Sequence, residues 1–299
     1  YDETAVLLSE EHYSMPETST TIKSGSIVSP ELPIEFINTG ELDIKTTYVL
    51  PVTIKSVEGI GVLQSAKTYY YVFRGASLIN VVCNISRNRA YPDFKNDSKF
   101  NNLTENTMEI LFKANSFPNT LNTLMGIESN YLLRIGDATI PNNQLQVATS
   151  VNNCTSADLQ LESGKWYHVA VAFNKGNVKV YINGVEKLSG STGKSSVSLG
   201  AKHTNEEDGS RCFWVGYSYK DDRYFDGVVS EVRIWNRALT AEEIQATNHF
   251  YTIEPESEGL IAYWKFDEGS GTVAKDYSVS GYDLTIEKEP KWESVSLPQ

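Results

Sequence analysis

Between Gly164 and Ala246 the chain repeats a period-two pattern three times, and this limits what it can fold into more than any other feature. The first repeat is Gly164-Lys165-Trp166-Tyr167-His168-Val169-Ala170-Val171, and the second is Val178-Lys179-Val180-Tyr181-Ile182-Asn183-Gly184. The third runs from Phe225-Asp226-Gly227 through Val232-Arg233-Ile234-Trp235. Alternation of this kind puts one side-chain set on a buried sheet face. Asn183-Gly184 is a hairpin signal, because a type I′ turn needs positive φ at both central residues. Thr240-Ala241-Glu242-Glu243 is a capping box and starts the one helix that the sequence predicts.

Period-two segments recur elsewhere. Residues 77–85, 107–113, 122–128, 131–135, 144–149 and 211–217 read as further strands of one large unit, residues 75–299. Residues 1–74 read as a separate small β unit, with strands at Thr4–Leu8, Thr20–Gly25, Leu32–Ile37, Tyr48–Ile54 and Thr68–Phe73. Pro51 marks the fourth of these as an edge or bulged strand. Strands dominate, so the fold class is all-β: a small sandwich followed by a two-sheet jelly roll. Trp166 and Trp235 are assigned to the core.

The 299 residues carry 26 bases and 38 acids, a net charge of -12, with no basic stripe, so nucleic acid is not an expected partner. No apolar run reaches the roughly 18 residues that a membrane-spanning helix needs. The opening at Tyr1, without a signal-peptide pattern, reads as a cut point. Cys83, Cys154 and Cys212 allow one disulfide and a free thiol, or three isolated buried thiols.

The run from Trp166 to Ile244 resembles the laminin-G-like branch of the concanavalin A-like lectin/glucanase superfamily. Gly259-Leu260-Ile261-Ala262-Tyr263-Trp264-Lys265-Phe266-Asp267-Glu268-Gly269 resembles the opening segment of such domains, yet here it follows the helix. Two readings compete: residues 255–299 complete the same sandwich, or they begin a second copy that stops early. The shortness of the tail favours completion. Residues 1–74 resemble the immunoglobulin-like N-terminal module of Bacteroides-type surface lipoproteins, on Ile22-Lys23-Ser24-Gly25 and Tyr48-Val49-Leu50-Pro51-Val52-Thr53-Ile54.

Motifs for catalysis are missing. A Glu-x-Asp-x-x-Glu strand would mark a concanavalin A-like glucanase, whose two carboxylates must flank one glycosidic bond. The nearest string, Glu41-Leu42-Asp43, is followed by Thr46 and lies in the small unit. Ser189-Gly190-Ser191-Thr192-Gly193-Lys194-Ser195 lacks the first glycine of a phosphate loop, Leu188 standing in its place, and no helix follows. His168 reads as a structural histidine, and His12, His203 and His249 carry no motif.

The family resemblance invites calcium, which takes about six to eight oxygen ligands from converging loops. Asp276, Asp267 and Asp226 are the metal candidates, while Ser230 stands where the family usually has an aspartate. The preferred ligand site is the loop holding Tyr217, Tyr219, Asp221, Asp222, Arg223 and Tyr224, because aromatic faces stack on sugar rings and planar polar groups take the hydroxyls. Alternation places Tyr217 and Tyr219 on one side.

The resemblance therefore implies a non-catalytic glycan-binding protein. It would be exported to the outer-membrane surface or periplasm of a Gram-negative bacterium, held by a lipid anchor outside this sequence, and linked to polysaccharide or glycoprotein-glycan use. The alternatives are a protein–protein adaptor in a surface assembly and a glycoside hydrolase with an unrecognised carboxylate pair.

Overall fold

Period-two stretches become strands where at least one of their faces finds cover and stay irregular where neither does. The computed structural model describes residues 5–39, 42–43, 46–74, 79–203, 212–246 and 248–297. Thr4, Ser77 and Arg211, each at the start of a predicted strand, lie outside these. The chain divides into two units, Tyr1–Leu78 and Ile79–Gln299.

In the first unit β1 (Val6–Leu7), β2 (Tyr13–Ser14), β3 (Glu35–Phe36), β4 (Thr47–Thr53) and β5 (Thr68–Arg74) follow in order. β4 lies between β1, parallel to it, and β5, antiparallel to it, while β2 pairs with β3. Leu8, Leu42 and Leu50 form its small core, with Ile34, Tyr48 and Phe73 packed on it. Pro51 pairs only with Tyr70 of β5, because β1 stops at the level of Val49, so its missing N–H falls where one neighbour is absent. The strand expected at Thr20–Gly25 does not form. Ile22 is 50% exposed, and without a buried face nothing holds a ladder there.

The second unit begins with β6 (Ile79–Asn84), β7 (Ala90–Pro92), β8 (Glu105–Ala114), β9 (Asn122–Ile127) and β10 (Tyr131–Asp137). β11 (Ile140–Thr149), β12 (Trp166–Asn174), β13 (Asn177–Ile182), β14 (Val185–Ser191) and β15 (Trp214–Val215) continue it. β16 (Gly227–Trp235), α1 (Ala241–Ile244), β17 (Leu260–Trp264), β18 (Val273–Ala274), β19 (Leu284–Ile286) and β20 (Lys291–Leu297) close it. One sheet has the order β11-β10-β9-β15-β7-β19-β18. The other has the order β14-β13-β12-β8-β16-β6-β20, with β17 beside β16. The segment after residue 255 thus supplies strands to both sheets.

Alternation explains the layers. Met108, Ile110 and Phe112 of β8 and Val169, Val171 and Phe173 of β12 meet Met125, Leu133, Ile135, Leu145 and Val147 from the facing sheet in one core. The opposite face of β12 and β13, with Ala170, Ala172 and Tyr181, is buried too, under Leu239 and Ile244. Trp235 belongs to this outer layer and not to the core between the sheets, whereas Trp166 is only half-buried, beneath the Lys113 ammonium. α1 carries its capping box: the Glu243 amide donates to Thr240 Oγ1, and the Thr240 amide donates to Glu243 Oε2. Asn183 and Gly184 have φ of 49° and 76°, as a type I′ hairpin requires.

One glycine decides the middle of the seven-stranded sheet. Gly126 has φ of 120°, and a Cβ there would fall 2.4 Å from the Tyr131 carbonyl oxygen and 2.9 Å from Leu132 Cα. Gly126→Ala is expected to cost about 2–5 kcal/mol, the sum of backbone strain and overpacking. Urea denaturation checks this, and a loss below about 1 kcal/mol would contradict the steric argument.

Candidate functional site

The outer face of the seven-stranded sheet gathers aromatic rings around one guanidinium. Trp214 points out of β15 and groups with Cys212 and Tyr217, with Tyr91 and Tyr224 packed alongside. Ring centroids lie 5.1 Å apart for Trp214–Tyr217, 4.9 Å for Tyr217–Tyr224 and 5.2 Å for Tyr91–Trp214. His203 stacks on Tyr91, and its Nδ1 lies 3.2 Å from Cys212 Sγ. The Arg89 guanidinium carbon sits 4.9 Å from the Trp214 ring and 4.6 Å from the Tyr217 ring. Glu287 holds Arg89 in place through Nη2 at 2.9 Å and Nε at 2.5 Å. Burial pushes the Tyr224 phenol up to about 12 and also raises Tyr217, so both remain neutral donors at physiological pH.

The predicted loop is anchored at its base. The Phe225 amide donates to the Gly216 carbonyl, and Asn119 Nδ2 donates to the Tyr224 carbonyl. Tyr217 and Tyr219 do not share a side. The strand ends at Val215, and Gly216 (φ 78°) breaks the alternation. Tyr217 becomes part of the floor at 5% exposure. Tyr219 packs under Arg223, which also donates to its hydroxyl. Asp221 and Asp222 are exposed. Arg223 Nη1 lies 3.8 Å from Glu128, and Glu128 lies 3.9 Å from Arg134, which is bonded to Asp137 and Gln146. The aromatic floor is therefore bordered by a row of alternating charges. Arg89, Tyr91, Trp214 and Glu287 escaped the sequence reading: Arg89 and Glu287 meet only through the β7–β19 ladder, and Trp214 sits on a two-residue strand without a recognisable period.

The acids proposed for calcium do not form one cluster; among the described residues the group with metal-ligand geometry is Glu109, His168 and His249. Asp276 is buried, and its oxygens accept the main-chain amides of Tyr263, Ser278 and Tyr282, so it staples the tail. Asp226 accepts from Ser86, Ser116 and Asn115. Ser230 donates to the Lys265 carbonyl. The three cysteines are buried.

A second polar cluster lies on the outer face of the eight-stranded sheet. Glu109 of β8 is directly opposite Ala170 of β12 and Arg233 of β16. Trp235 Nε1 donates to its Oε2 at 2.7 Å, and His249 Nε2 lies 2.6 Å from its Oε1. Burial alone would raise Glu109, but the His168 and His249 imidazoles and the Arg233 guanidinium hold it well below the ordinary range. A β-bulge places Glu231 at φ 48°, which turns its carboxylate inward onto Arg233 Nη2 and the Tyr263 hydroxyl. Burial lowers His168, keeping it neutral. The sequence reading treated His168 as a lone residue; Glu109, set between Met108 and the apolar Ile110-Leu111-Phe112, was the available signal.

Two packed antiparallel sheets, with an aromatic floor on one outer face, define a lectin-like jelly roll. The chain belongs to the concanavalin A-like lectin/glucanase superfamily, whose family model matches residues 88–245. A model of an N-terminal domain family matches residues 1–61. Among solved structures, a candidate carbohydrate-binding protein from Bacteroides ovatus is 25% identical with a TM-score of 0.67, covering 98% of this chain and 81% of that one. The fourth domain of AbnA, an arabinanase from Geobacillus stearothermophilus solved with arabinotriose, is 20% identical, with a TM-score of 0.42 and coverage of 70% and 89%. A pentraxin from Limulus polyphemus is 15% identical, with a TM-score of 0.39 and coverage of 57% and 82%. No curated protein matches.

Proposed function

We propose that this chain is a non-catalytic glycan-binding protein of the bacterial cell exterior. Its ligand face is the aromatic patch of Tyr91, Trp214, Tyr217 and Tyr224 with Arg89. That patch is the observation that carries the reading: half-buried Tyr224, and half-buried Tyr91 with His203 stacked on it, stand beside a guanidinium fixed by Glu287. Such a mixture takes the C–H face of a sugar on the rings and its hydroxyls on the planar donors. Likeness to the Bacteroides ovatus protein, described as a candidate carbohydrate-binding protein, supports the same reading.

A glycan array with the wild-type protein, Tyr224→Ala and Tyr219→Ala tests it. Tyr224→Ala is expected to lose about 1.5–3 kcal/mol of binding, roughly ten- to a hundredfold in Kd. Tyr219→Ala, on the charged border, loses less. An array without specific binding overturns the reading, and sugar release from a polysaccharide panel would replace binding with catalysis.

A further inference from the structure

We propose that Glu109, His168 and His249 form a site for a zinc-like divalent transition-metal ion. Their donor atoms come from β8, β12 and the segment after α1, and all lie within 4.8 Å of one another. Two imidazoles and a carboxylate are a donor set that suits zinc, which binds nitrogen and oxygen at about 2.0–2.2 Å and so spaces tetrahedral ligands at roughly 3.3–3.5 Å. His168 Nε2 stands 3.4 Å from Glu109 Oε1, which already fits. His249 Nε2, at 2.6 Å from the same oxygen, shares a proton with it; a metal replaces that proton and moves the pair apart by roughly 0.7 Å.

An independent observation points to a missing ligand. His168 is fully buried: its Nε2 meets only the Glu109 carboxylate, at 3.4 Å and outside hydrogen-bond geometry, and its Nδ1 has no partner. Buried polar groups are nearly always satisfied, and an orphan costs about 1–3 kcal/mol. A metal on Nε2 would satisfy one of the two. The surroundings hold the donors as outer-shell groups do at metal sites. Trp235 Nε1 fixes the other Glu109 oxygen, Arg233 Nη1 donates to the His249 carbonyl at 2.7 Å, and Phe250 stacks on His168 at 4.5 Å. Arg233 lies 3.7 Å from Glu109 Oε2, but its charge is matched by Glu231. Glu109 therefore offers a carboxylate oxygen and the histidines two ring nitrogens. The site is closed, so the ion enters as the segment carrying His249 folds down.

The experiment refolds the untagged full chain with one equivalent of Co²⁺ or Zn²⁺ and passes it over a chelating resin. Wild-type protein is expected to retain one ion per chain, to show the visible bands of tetrahedral Co²⁺ and to melt at a higher temperature than the metal-free protein. His168→Phe, which keeps the stack on Phe250, is expected to bind at least a hundredfold more weakly. X-ray absorption on the wild-type protein reads the ligands even if that variant fails to fold: two imidazoles support the site. Less than a tenth of an equivalent retained, a sulfur shell from the cysteines, or unchanged binding in folded His168→Phe overturns it.

Discussion

Arg233→Met is expected to destabilise the second unit by about 3–5 kcal/mol, the cost of breaking a buried ion pair from one side. Arg233 is fully buried and is the cation shared by two buried carboxylates, Glu231 and Glu109. Met fills similar space but leaves Glu231 with only the Tyr263 hydroxyl, and burial already pushes that carboxyl up. In a unit of this size the loss amounts to roughly 6–20 °C in Tm. Arg233→Lys should recover little, since a point charge cannot reach both Glu231 and the His249 carbonyl as the planar fork does. Glu231→Leu combined with Arg233→Met should regain a large part of the loss, because no buried carboxylate is then left on that side of the network. Urea denaturation followed by tryptophan fluorescence measures all four proteins. A loss under about 1 kcal/mol for the single variant, or no recovery in the double one, would show that the network does not act as an ionic unit.

How far such a network can be foreseen depends on the range of the signal. β12 and β13 run from Trp166 to Asn174 and from Asn177 to Ile182, as the period-two pattern implies, since both strands have a core face and a paired neighbour on each side. The Thr240 cap and the Asn183-Gly184 turn are equally local, each written within four residues. Of the strand expected over 211–217, whose first residue lies outside the described residues, Trp214–Val215 forms, and the positive φ at Gly216 ends it. The candidate ligand face joins Arg89 to Glu287 and Tyr91 to Trp214, pairs that no local period connects. The bulge that turns Glu231 inward also depends on pairing, where β16 passes from β6 to β17. Sequence periodicity therefore describes the sheets, while both polar clusters depend on registers between distant strands.

Removal of residues 255–299 is expected to abolish folding of the second unit altogether. β17 covers the C-terminal half of β16, and β20 pairs along β6. β18 and β19 extend the other sheet from β7. Deletion would strip the ladders from one edge of each sheet and expose the amides and carbonyls of β6 and β7 to pairing with other chains. It would also empty the core. Trp264, Phe266, Leu284 and Ile286 are buried there, and Trp264 packs against Phe94 and Phe213. Loss of one large core aromatic costs about 3–5 kcal/mol, so four large core side chains together exceed the roughly 5–15 kcal/mol that holds a domain folded. Glu231, left behind in β16, would lose its Tyr263 partner. Size-exclusion chromatography should find aggregate, and near-ultraviolet circular dichroism should be flat. A soluble monomer with cooperative melting would mean that the jelly roll closes without its tail, and the tail would then have to be read as the start of a separate unit.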